Sequence, residues 1–381
     1  TLTVTATSTE GANSDTATSA SQTIDVSVIA VADTPTLSLN GTASGNEDTA
    51  IALSISTPSL VDSDGSEILG NILISDVPSG AVLSAGTDLG SGVWELTSVE
   101  LSGLTITPPT HDDSDFTLTV SVSSTEGSNA DTATASDTID VSVTAVADAP
   151  TLVVTNSASG NEDTAISLSI TAPSLVDADG TESLSNITIS GVPSGAVLSA
   201  GTDLGSGVWE LTSAQLSGLT ITPPTNDDSD FTLTVSVTST ESSNADTATS
   251  TDTIDVSVIA VADTPTLSLT NTASGNEDTA IALTISPSLV DTDSSESLSV
   301  TISDVPTGAT LSAGTNQGSG VWLLTTAELS GLTITPASND DSDFTLTVTT
   351  TSTEGANSDT ATSASQTIDV SVIAVADTPT L

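Results

Sequence analysis

The chain has 381 residues, of which 50 are Asp or Glu and none is Lys or Arg, so its formal net charge is −50. A charge of this sign disfavours nucleic acid and anionic membrane surfaces as partners. Cysteine is absent, which excludes disulfides, and no apolar stretch approaches the ~18 residues of a membrane-spanning helix, so we expect no membrane insertion. The repulsion among the carboxylates must be countered by salt or by bound cations.

A seven-residue motif divides the sequence into repeats. VADTPTL occurs at 31–37, 261–267 and 375–381, and VADAPTL occurs at 146–152. The Asp of this motif recurs after 115, 115 and 114 residues, which is the size of one ordinary domain. Residues 1–34 match 345–378 almost letter for letter. The predicted domains are 35–149, 150–264 and 265–381, the last including the start of a further junction, with 1–34 as the C-terminal fragment of a preceding repeat.

The sequence pattern of the first repeat predicts short β-strands separated by turn residues. Apolar residues alternate with polar ones in several stretches, as expected for half-buried strands. The pattern Thr-Ser-Val-Glu at 97–100 has the form of a capping box and predicts one helical turn. In chain order we predict a strand at 36–39, a Gly, Ser and Asn-rich loop at 40–49, and strands at 51–55, 72–75, 82–85, 94–96, 104–106, 116–122 and 139–143.

This arrangement of strands predicts an all-β fold. Seven or eight short strands at about ten-residue spacing, with almost no helix, are typical of an antiparallel β-sandwich. Each repeat also has one Trp and one Phe, which we expect in its core. The proline of each junction favours a short, stiff link, so tandem sandwiches are expected to form an elongated rod.

Four acidic elements recur in the predicted loops of each repeat: the junction Asp, an N-E-D sequence, a D-x-D-x-x-E sequence and a D-D-x-D sequence. Carboxylates two or three residues apart can converge on one cation, and Ca²⁺ accepts six to eight oxygen ligands in flexible geometry. We therefore predict Ca²⁺ as the cofactor, bound at the domain junctions. The D-D-x-D loop either completes the junction site or forms a separate one, and the alternative is that all four elements are merely solvated acidic loops.

The predicted ligands fall into the four elements. The junction residues are Asp33, Asp148, Asp263 and Asp377, and the N-E-D residues are Glu47, Asp48, Glu162, Asp163, Glu277 and Asp278. The D-x-D-x-x-E residues are Asp62, Asp64, Glu67, Asp177, Asp179, Glu182, Asp291, Asp293 and Glu296. The D-D-x-D residues are Asp112, Asp113, Asp115, Asp227, Asp228, Asp230, Asp340, Asp341 and Asp343.

Several longer motifs carry a family resemblance across all three repeats. These are the D-x-P junction, the E-D element, the D-x-D-G-x-E loop, VPSGAVLSAGT followed by GVWELT, LSGLTITPP, and FTLTVSVSSTEG. Together they resemble the immunoglobulin-like or cadherin-like tandem repeats of giant RTX-type bacterial adhesins exported by type I secretion. The resemblance implies an extender stalk on the bacterial cell surface, with Ca²⁺ rigidifying the links between neighbouring repeats. The chain departs from this pattern in having one junction Asp, where cadherin junctions have several acidic and Asn residues.

Three functions follow as hypotheses. The first is the structural extender. The second is a self-assembling subunit of an extracellular fibre or sheath, completed by strand exchange with other copies of the chain. The third is a glycan-binding or ice-binding surface on the Thr-rich strands. No enzyme is expected, because the single histidine, His111, is replaced by Asn226 and Asn339 in the other repeats and is interpreted as a solvated loop residue.

Overall fold

A computed structural model of the chain describes residues 1–177, 180–291, 294–376 and 378. This part of the chain is almost entirely β-structure, with two short 3-10 helices at Ser213–Leu216 and Thr326–Leu329. None of the helices in these ranges is long and apolar enough to cross a membrane. The predicted all-β class is confirmed.

The strands are numbered in chain order. Before the first repeat lie β1 (Leu2–Val4), β2 (Thr7–Thr9), β3 (Thr16–Thr18) and β4 (Gln22–Ile24). The first repeat contains β5 (Thr42–Asn46), β6 (Ile51–Ala52), β7 (Glu67–Ser75), β8 (Val82–Leu83), β9 (Thr87–Gly90), β10 (Val93–Leu96), β11 (Thr105–Thr107), β12 (Phe116–Glu126) and β13 (Thr132–Thr144). The second contains β14 (Thr151–Val154), β15 (Ser157–Asn161), β16 (Ile166–Ser167), β17 (Ile170–Ser174), β18 (Glu182–Leu184), β19 (Ile187–Ser190), β20 (Val197–Leu198), β21 (Thr202–Gly205), β22 (Val208–Leu211), β23 (Thr220–Thr222), β24 (Phe231–Glu241) and β25 (Thr247–Ile259). The third contains β26 (Thr266–Leu269), β27 (Thr272–Asn276), β28 (Ile281–Ala282), β29 (Ile285–Ser288), β30 (Glu296–Ser303), β31 (Thr310–Leu311), β32 (Thr315–Gly318), β33 (Val321–Thr325), β34 (Thr333–Thr335), β35 (Phe344–Glu354), β36 (Thr360–Thr362) and β37 (Gln366–Ile373).

Two sheets share one core in the first repeat. The larger sheet has the order β5-β13-β12-β7-β10-β9, and the smaller has the order β6-β11-β8. Ile106 of the small sheet and Val120 of the large sheet are both fully buried in the same apolar cluster. The second repeat has the same two orders, β15-β25-β24-β19-β22-β21 and β16-β23-β20, and the third has β27-β37-β35-β30-β33-β32 and β28-β34-β31. The tandem β-sandwich architecture is therefore confirmed.

The predicted alternation holds in the long strands. Leu118, Val120 and Val122 of β12 are at most 1% exposed, because every second side chain of a strand points into the core. Phe116 and Trp94 are only half-buried and pack against the edge of this core. The predicted capping interaction is present, since the Thr97 N–H donates to the Glu100 carboxylate at 2.7 Å, but residues 98–103 form turns and no helix in the first repeat. A helical turn forms at the equivalent places of the other two repeats, Ser213–Leu216 and Thr326–Leu329.

The predicted loop at 40–49 is wrong in part, because residues 42–46 form strand β5. This edge strand runs parallel to β13, with Asn46 opposite Thr144. Its sequence, Thr-Ala-Ser-Gly-Asn, has no large apolar residue, so no alternation marked it as a strand. A Cβ at Gly45 would lie 2.8 Å from the Ile51 side chain, so glycine permits the close approach of β5 to the core.

The chain contacts define two compact units. Among the residues that the structure describes, the first unit holds one apolar core, from Ile51 to Val143, and the second holds two, from Val154 to Val258 and from Ile281 to Val372. The first unit comprises Thr1–Asp148, Asp177–Ser183 and Thr240–Thr247, and the second comprises Ala149–Val176, Leu184–Ser239 and Ala248–Leu381. The domain boundaries at 35–149, 150–264 and 265–381 stay a prediction.

Residues 1–34 leave apolar side chains exposed. They form two ladders, β1 with β4 and β2 with β3. Leu2, Val4, Ile24 and Val26 are 50–59% exposed, whereas the identical residues of the third repeat, Leu346, Val348, Ile368 and Val370, are at most 1% exposed.

Candidate metal centre

Two glutamates hold the junction that follows the first repeat. The Val146 N–H donates to Glu47 Oε1 at 2.7 Å, and the Asp148 N–H donates to Glu182 Oε1 at 2.7 Å. Glu47 belongs to the N-E-D element before the junction, and Glu182 belongs to the D-x-D-x-x-E element after it. All four residues lie in the first compact unit. The junction backbone is therefore fixed by acidic side chains from both directions along the chain.

The same bonds recur at the other junctions. Within the second compact unit, the Val261 N–H donates to Glu162 Oε1 at 2.6 Å and the Asp263 N–H donates to Glu296 Oε1 at 2.7 Å. Glu67 accepts from the Asp33 N–H, and Glu277 accepts from the Val375 N–H at 2.7 Å. The recurrence of these glutamates in each repeat thus accompanies the same backbone hydrogen bond at each junction.

An Asn-x-Asp turn supplies further bonds to each junction. Asn129, Asn244 and Asn357 each donate from Nδ2, at 2.7 Å, to the carbonyl of the alanine immediately before the junction motif. The Asp two residues later accepts an N–H of the junction alanine at 3.0–3.2 Å. Sequence reasoning missed these residues, although N-x-D recurs at the same place in each repeat.

Three buried carboxylates meet beside the junction in the first unit. One oxygen each of Glu47, Asp177 and Glu241 lies within 4.8 Å of the other two, and each residue is at most 4% exposed. The second unit has the equivalent group of Glu162, Asp291 and Glu354, with the same burial. The two groups are named here the first and second carboxylate groups. They bring together a predicted N-E-D glutamate and a predicted D-x-D aspartate.

The third member of each group was not predicted. Glu241 and Glu354 lie at the end of the long strands β24 and β35, and Glu126 occupies the same place in β12. The sequence does contain a pattern that marks these glutamates, because Ser-Thr-Glu ends this strand in every repeat. These glutamates were overlooked because they follow an alternating strand pattern and not a loop pattern.

Burial makes ionisation of these groups unfavourable. Desolvation raises the pKa of Glu47 to about 7, against the lowering effect of the Val146 N–H, and the charges of Asp177, Asp48 and Glu241 raise it further. Desolvation likewise raises the pKa of Glu162 to about 7. The Oε2 atoms of Glu47 and Glu162 are buried without a hydrogen-bond partner. A buried carboxylate oxygen of this kind is costly unless a cation or proton accompanies it.

The residues present fit a hard divalent cation. Both carboxylate groups offer only oxygen ligands, and the chain has no Lys or Arg that could neutralise them. Ca²⁺ prefers such ligands, including bidentate carboxylates and backbone carbonyls. Glu47, Asp177 and Glu241 would hold one ion, and Glu162, Asp291 and Glu354 would hold another.

Other predicted ligands have local partners. Asp62 and Asp64 form a turn in which Asp64 Oδ1 accepts the Ser66 N–H at 2.7 Å, and Asp64 is exposed. Asp112, Asp227 and Asp340 accept the N–H two residues later at 3.0 Å. Asp115, Asp230 and Asp343 accept a strand N–H from Val143, Val258 and Val372 at 2.8 Å.

The remaining predicted ligands divide between the groups and the surface. The charge of Asp228 contributes to the raised pKa of Glu354, whose main cause is burial, so this aspartate lies near the second carboxylate group. Asp163 and Asp278 accept the N–H of Asn226 and Asn339 at 3.0 and 3.1 Å. Asp341 is exposed, Asp113 is half-buried, and Asp179, Asp293 and Asp377 lie outside the described residues.

His111 is not the solvated loop residue that the sequence suggested. Its Nδ1 lies 2.6 Å from Asp148 Oδ2 and 3.2 Å from Asp48 Oδ2, and its side chain is 30% exposed. Burial lowers the pKa of His111, but the charges of Asp148 and Asp48 outweigh this effect and raise it. Because the sequence has no Lys or Arg and a single His, His111 is the one side chain that can form a salt bridge with an aspartate.

The fold and these groups define the class of protein, a tandem array of β-sandwiches with buried carboxylate groups beside its junctions. No protein-family model matches the sequence, and no curated protein matches it either. Among solved structures, the chain is similar to the extracellular domain of protocadherin GammaB4, at 13% identity, a TM-score of 0.35, and coverage of 88% of this chain and 49% of that one. The chain thus spans about half of that protein's length.

Two other structures show similarity at the same low level. Drosophila N-cadherin EC1-4 shares 15% identity, with a TM-score of 0.29 and coverage of 90% of this chain and 75% of that one. The four N-terminal Ig domains of Dscam1 share 8% identity, with a TM-score of 0.27 and coverage of 97% and 81%. The function is accordingly inferred from the chain's own residues.

Proposed function

We propose that this chain consists of structural extender repeats of a large bacterial cell-surface adhesin, located outside the cell and stabilised by Ca²⁺ at its junctions. One observation carries the proposal. Three buried carboxylates meet beside the junction in each compact unit. One glutamate of each group, Glu47 in the first and Glu162 in the second, has a buried oxygen with no hydrogen-bond partner. Two such groups at equivalent positions favour a repeated structural role over a single binding site.

Calcium would stabilise the junction by binding the glutamates that already accept hydrogen bonds from the junction backbone. Glu47 accepts the Val146 N–H through Oε1, so its free Oε2 can bind a cation without releasing the backbone. Glu162 has the same arrangement with Val261. An ion at either group would neutralise the clustered charge and fix the junction to both neighbouring stretches of chain. Neighbouring repeats of the same long chain are thus the principal partners.

An enzymatic role is not favoured. The carboxylates that lie close together are buried and are repeated, whereas a glycosidase needs a carboxylate pair that faces an open cleft. The single histidine has no equivalent in the other repeats.

The test is thermal unfolding and small-angle scattering of the full chain, each in millimolar Ca²⁺ and in chelator. We expect a higher melting temperature in Ca²⁺ and a rod. Three repeats of about 35–40 Å each predict a radius of gyration near 30 Å, against about 21 Å for a globule of this length. Equal melting temperatures would refute the calcium role, and a globular radius in Ca²⁺ would refute the extender role.

A second candidate, the fibre subunit, is favoured by the exposed face of residues 1–34. Val26 is 56% exposed, but its counterpart Val370 is 1% exposed between strands of the third repeat. Another copy of the chain could cover this face by strand exchange. Light scattering over a hundredfold concentration range distinguishes the candidates, since a constant monomer mass excludes the fibre.

A further inference from the structure

One junction differs chemically from its equivalents. Position 111 is histidine in the first repeat, whereas the same position is Asn226 in the second and Asn339 in the third. The backbone around it does not differ, because each of these residues has a positive φ, between 53° and 56°, and donates its N–H to an N-E-D aspartate. The histidine therefore replaces an amide side chain by an imidazole ring, while the φ angle and the backbone hydrogen bond at this position stay the same.

Three separate segments bring their side chains together at this position. Asp48 follows β5, His111 precedes β12, and Asp148 belongs to the junction. Nδ1 of His111 lies 2.6 Å from Asp148 Oδ2 and 3.2 Å from Asp48 Oδ2. One ligand atom from each of the three residues lies within 4.8 Å of the other two. The His111 N–H donates to Asp48 Oδ1 at 3.1 Å, which fixes the loop that carries the ring. The Nδ1 atom itself is closed off from solvent.

We propose that Asp48, His111 and Asp148 form a separate site for a borderline divalent cation of the Zn²⁺ class. Imidazole nitrogen suits Zn²⁺ and its d-block neighbours, whereas Ca²⁺ takes oxygen ligands. Around a tetrahedral Zn²⁺ with bonds of about 2.0–2.2 Å, ligand atoms lie about 3.3 Å apart. The contact with Asp48 already has this length, and the contact with Asp148 has to lengthen by less than about 1 Å.

This site shares no residue with the first carboxylate group of Glu47, Asp177 and Glu241. It therefore does not rest on the proposed calcium role. The competing interpretation is a plain ion pair, in which a protonated His111 lies between the two aspartates and binds no metal. In the second repeat, Asn226 offers an amide oxygen and no imidazole, so a site of the Zn²⁺ class is not expected there.

The experiment is a Zn²⁺ titration of the full chain in millimolar Ca²⁺ at pH 7.5. Since the chain has one histidine, its imidazole proton resonances need no further assignment. We expect these resonances to shift with one equivalent of Zn²⁺, and calorimetry to show one step that weakens at least tenfold in H111N. This variant carries the residue found naturally at the equivalent positions, and a thermal melt checks that it folds.

The reciprocal variant N226H places imidazole in the second repeat, where Asn226 already bonds to Asp163. We expect it to add a second Zn²⁺ equivalent. Imidazole resonances that do not move in excess Zn²⁺, or a Zn²⁺ step of equal affinity in H111N, would overturn the proposal and leave the ion pair. The wild-type spectrum decides the matter even if a variant fails to fold. Calcium-dependent melting is a separate measurement, so the two proposals can fail independently.

Discussion

Replacing Glu162 by Gln should change stability in opposite directions with and without calcium. The amide oxygen of Gln can still accept the Val261 N–H, which donates to Glu162 at 2.6 Å, and the amide nitrogen can donate to the neighbouring carboxylates. The E162Q variant therefore keeps the junction bond and removes one charge from the second carboxylate group. Without metal this removal relieves repulsion, whereas with Ca²⁺ it removes a charged ligand.

The magnitude follows from the pKa of Glu162, which burial raises from 4.5 to about 7. Such a shift disfavours the ionised folded state by about 3 kcal/mol at pH 8. Because the three carboxylates share this repulsion, we expect E162Q to be more stable than the natural chain by about 1–3 kcal/mol in chelator. For a domain of this size, that gain raises the melting temperature by about 3–15 °C.

The assay is calorimetric melting at pH 8 in chelator and in millimolar Ca²⁺. E277Q is the matched control, since Glu277 makes the same bond to Val375 but joins no three-carboxylate group among the described residues. We expect E162Q to melt higher than the natural chain in chelator and to gain less from Ca²⁺, while E277Q shows neither effect. A variant that melts lower in both conditions would refute the charge argument and leave Glu162 a structural role only.

Three further predictions test other parts of the account. In chelator, stability should fall as pH rises from about 4.5 to about 7, because Glu47 and Glu162, whose pKa values burial raises to about 7, bind protons more tightly in the folded chain than in the unfolded one. A melting temperature that stays constant or rises over this range would contradict this. N357A should lose about 1–3 kcal/mol of stability, since the Asn357 amide donates to the Ala260 carbonyl at 2.7 Å and accepts the Asp359 N–H at 2.8 Å. Denaturant unfolding measures this loss, and an unchanged midpoint would mean that these bonds do not stabilise the fold. G207A should destabilise its repeat by about 3 kcal/mol or more, because a Cβ at this position would lie 2.5 Å from a carbonyl oxygen. The control is G205A, whose Cβ would meet no atom within 4 Å, so that only the positive φ of this residue should cost about 1–2 kcal/mol. Equal melting temperatures of the two variants would refute the steric argument.

The strands that the sequence predicted best are those with a buried face. Over 116–122 of β12 and 139–143 of β13 every second residue is apolar, and this pattern alone places Val120 and Ile139 in the core. Apolar alternation did not predict β5, because this edge strand consists of small and polar residues and shows no such alternation. Its position depends on a parallel pairing with a strand almost 100 residues away, which no local signal encodes.

The sequence also predicted only part of the candidate site, because a local pattern marks some of its residues and not others. Glu47 and Asp177 stood out because they recur in acidic loops, and the structure brings them together. Glu241 was missed because its strand pattern hid it, and His111 was misread because its partner Asp148 is distant in sequence. Asp115 stays a predicted ligand, and the fold shows in addition that its Oδ1 accepts a strand N–H from Val143, which the spacing did not indicate. Spacing identifies acidic residues, whereas only the fold shows which oxygens converge.

The most direct test of the central claim is a count of bound calcium. The full chain is equilibrated with Ca²⁺, passed through a desalting column and analysed for metal by atomic spectroscopy. The two carboxylate groups predict at least two tightly bound ions per chain, both lost in the double variant E241A and E354A and kept in E10A, which alters the exposed glutamate of the same Ser-Thr-Glu motif. Equal calcium content in all three proteins would contradict the account.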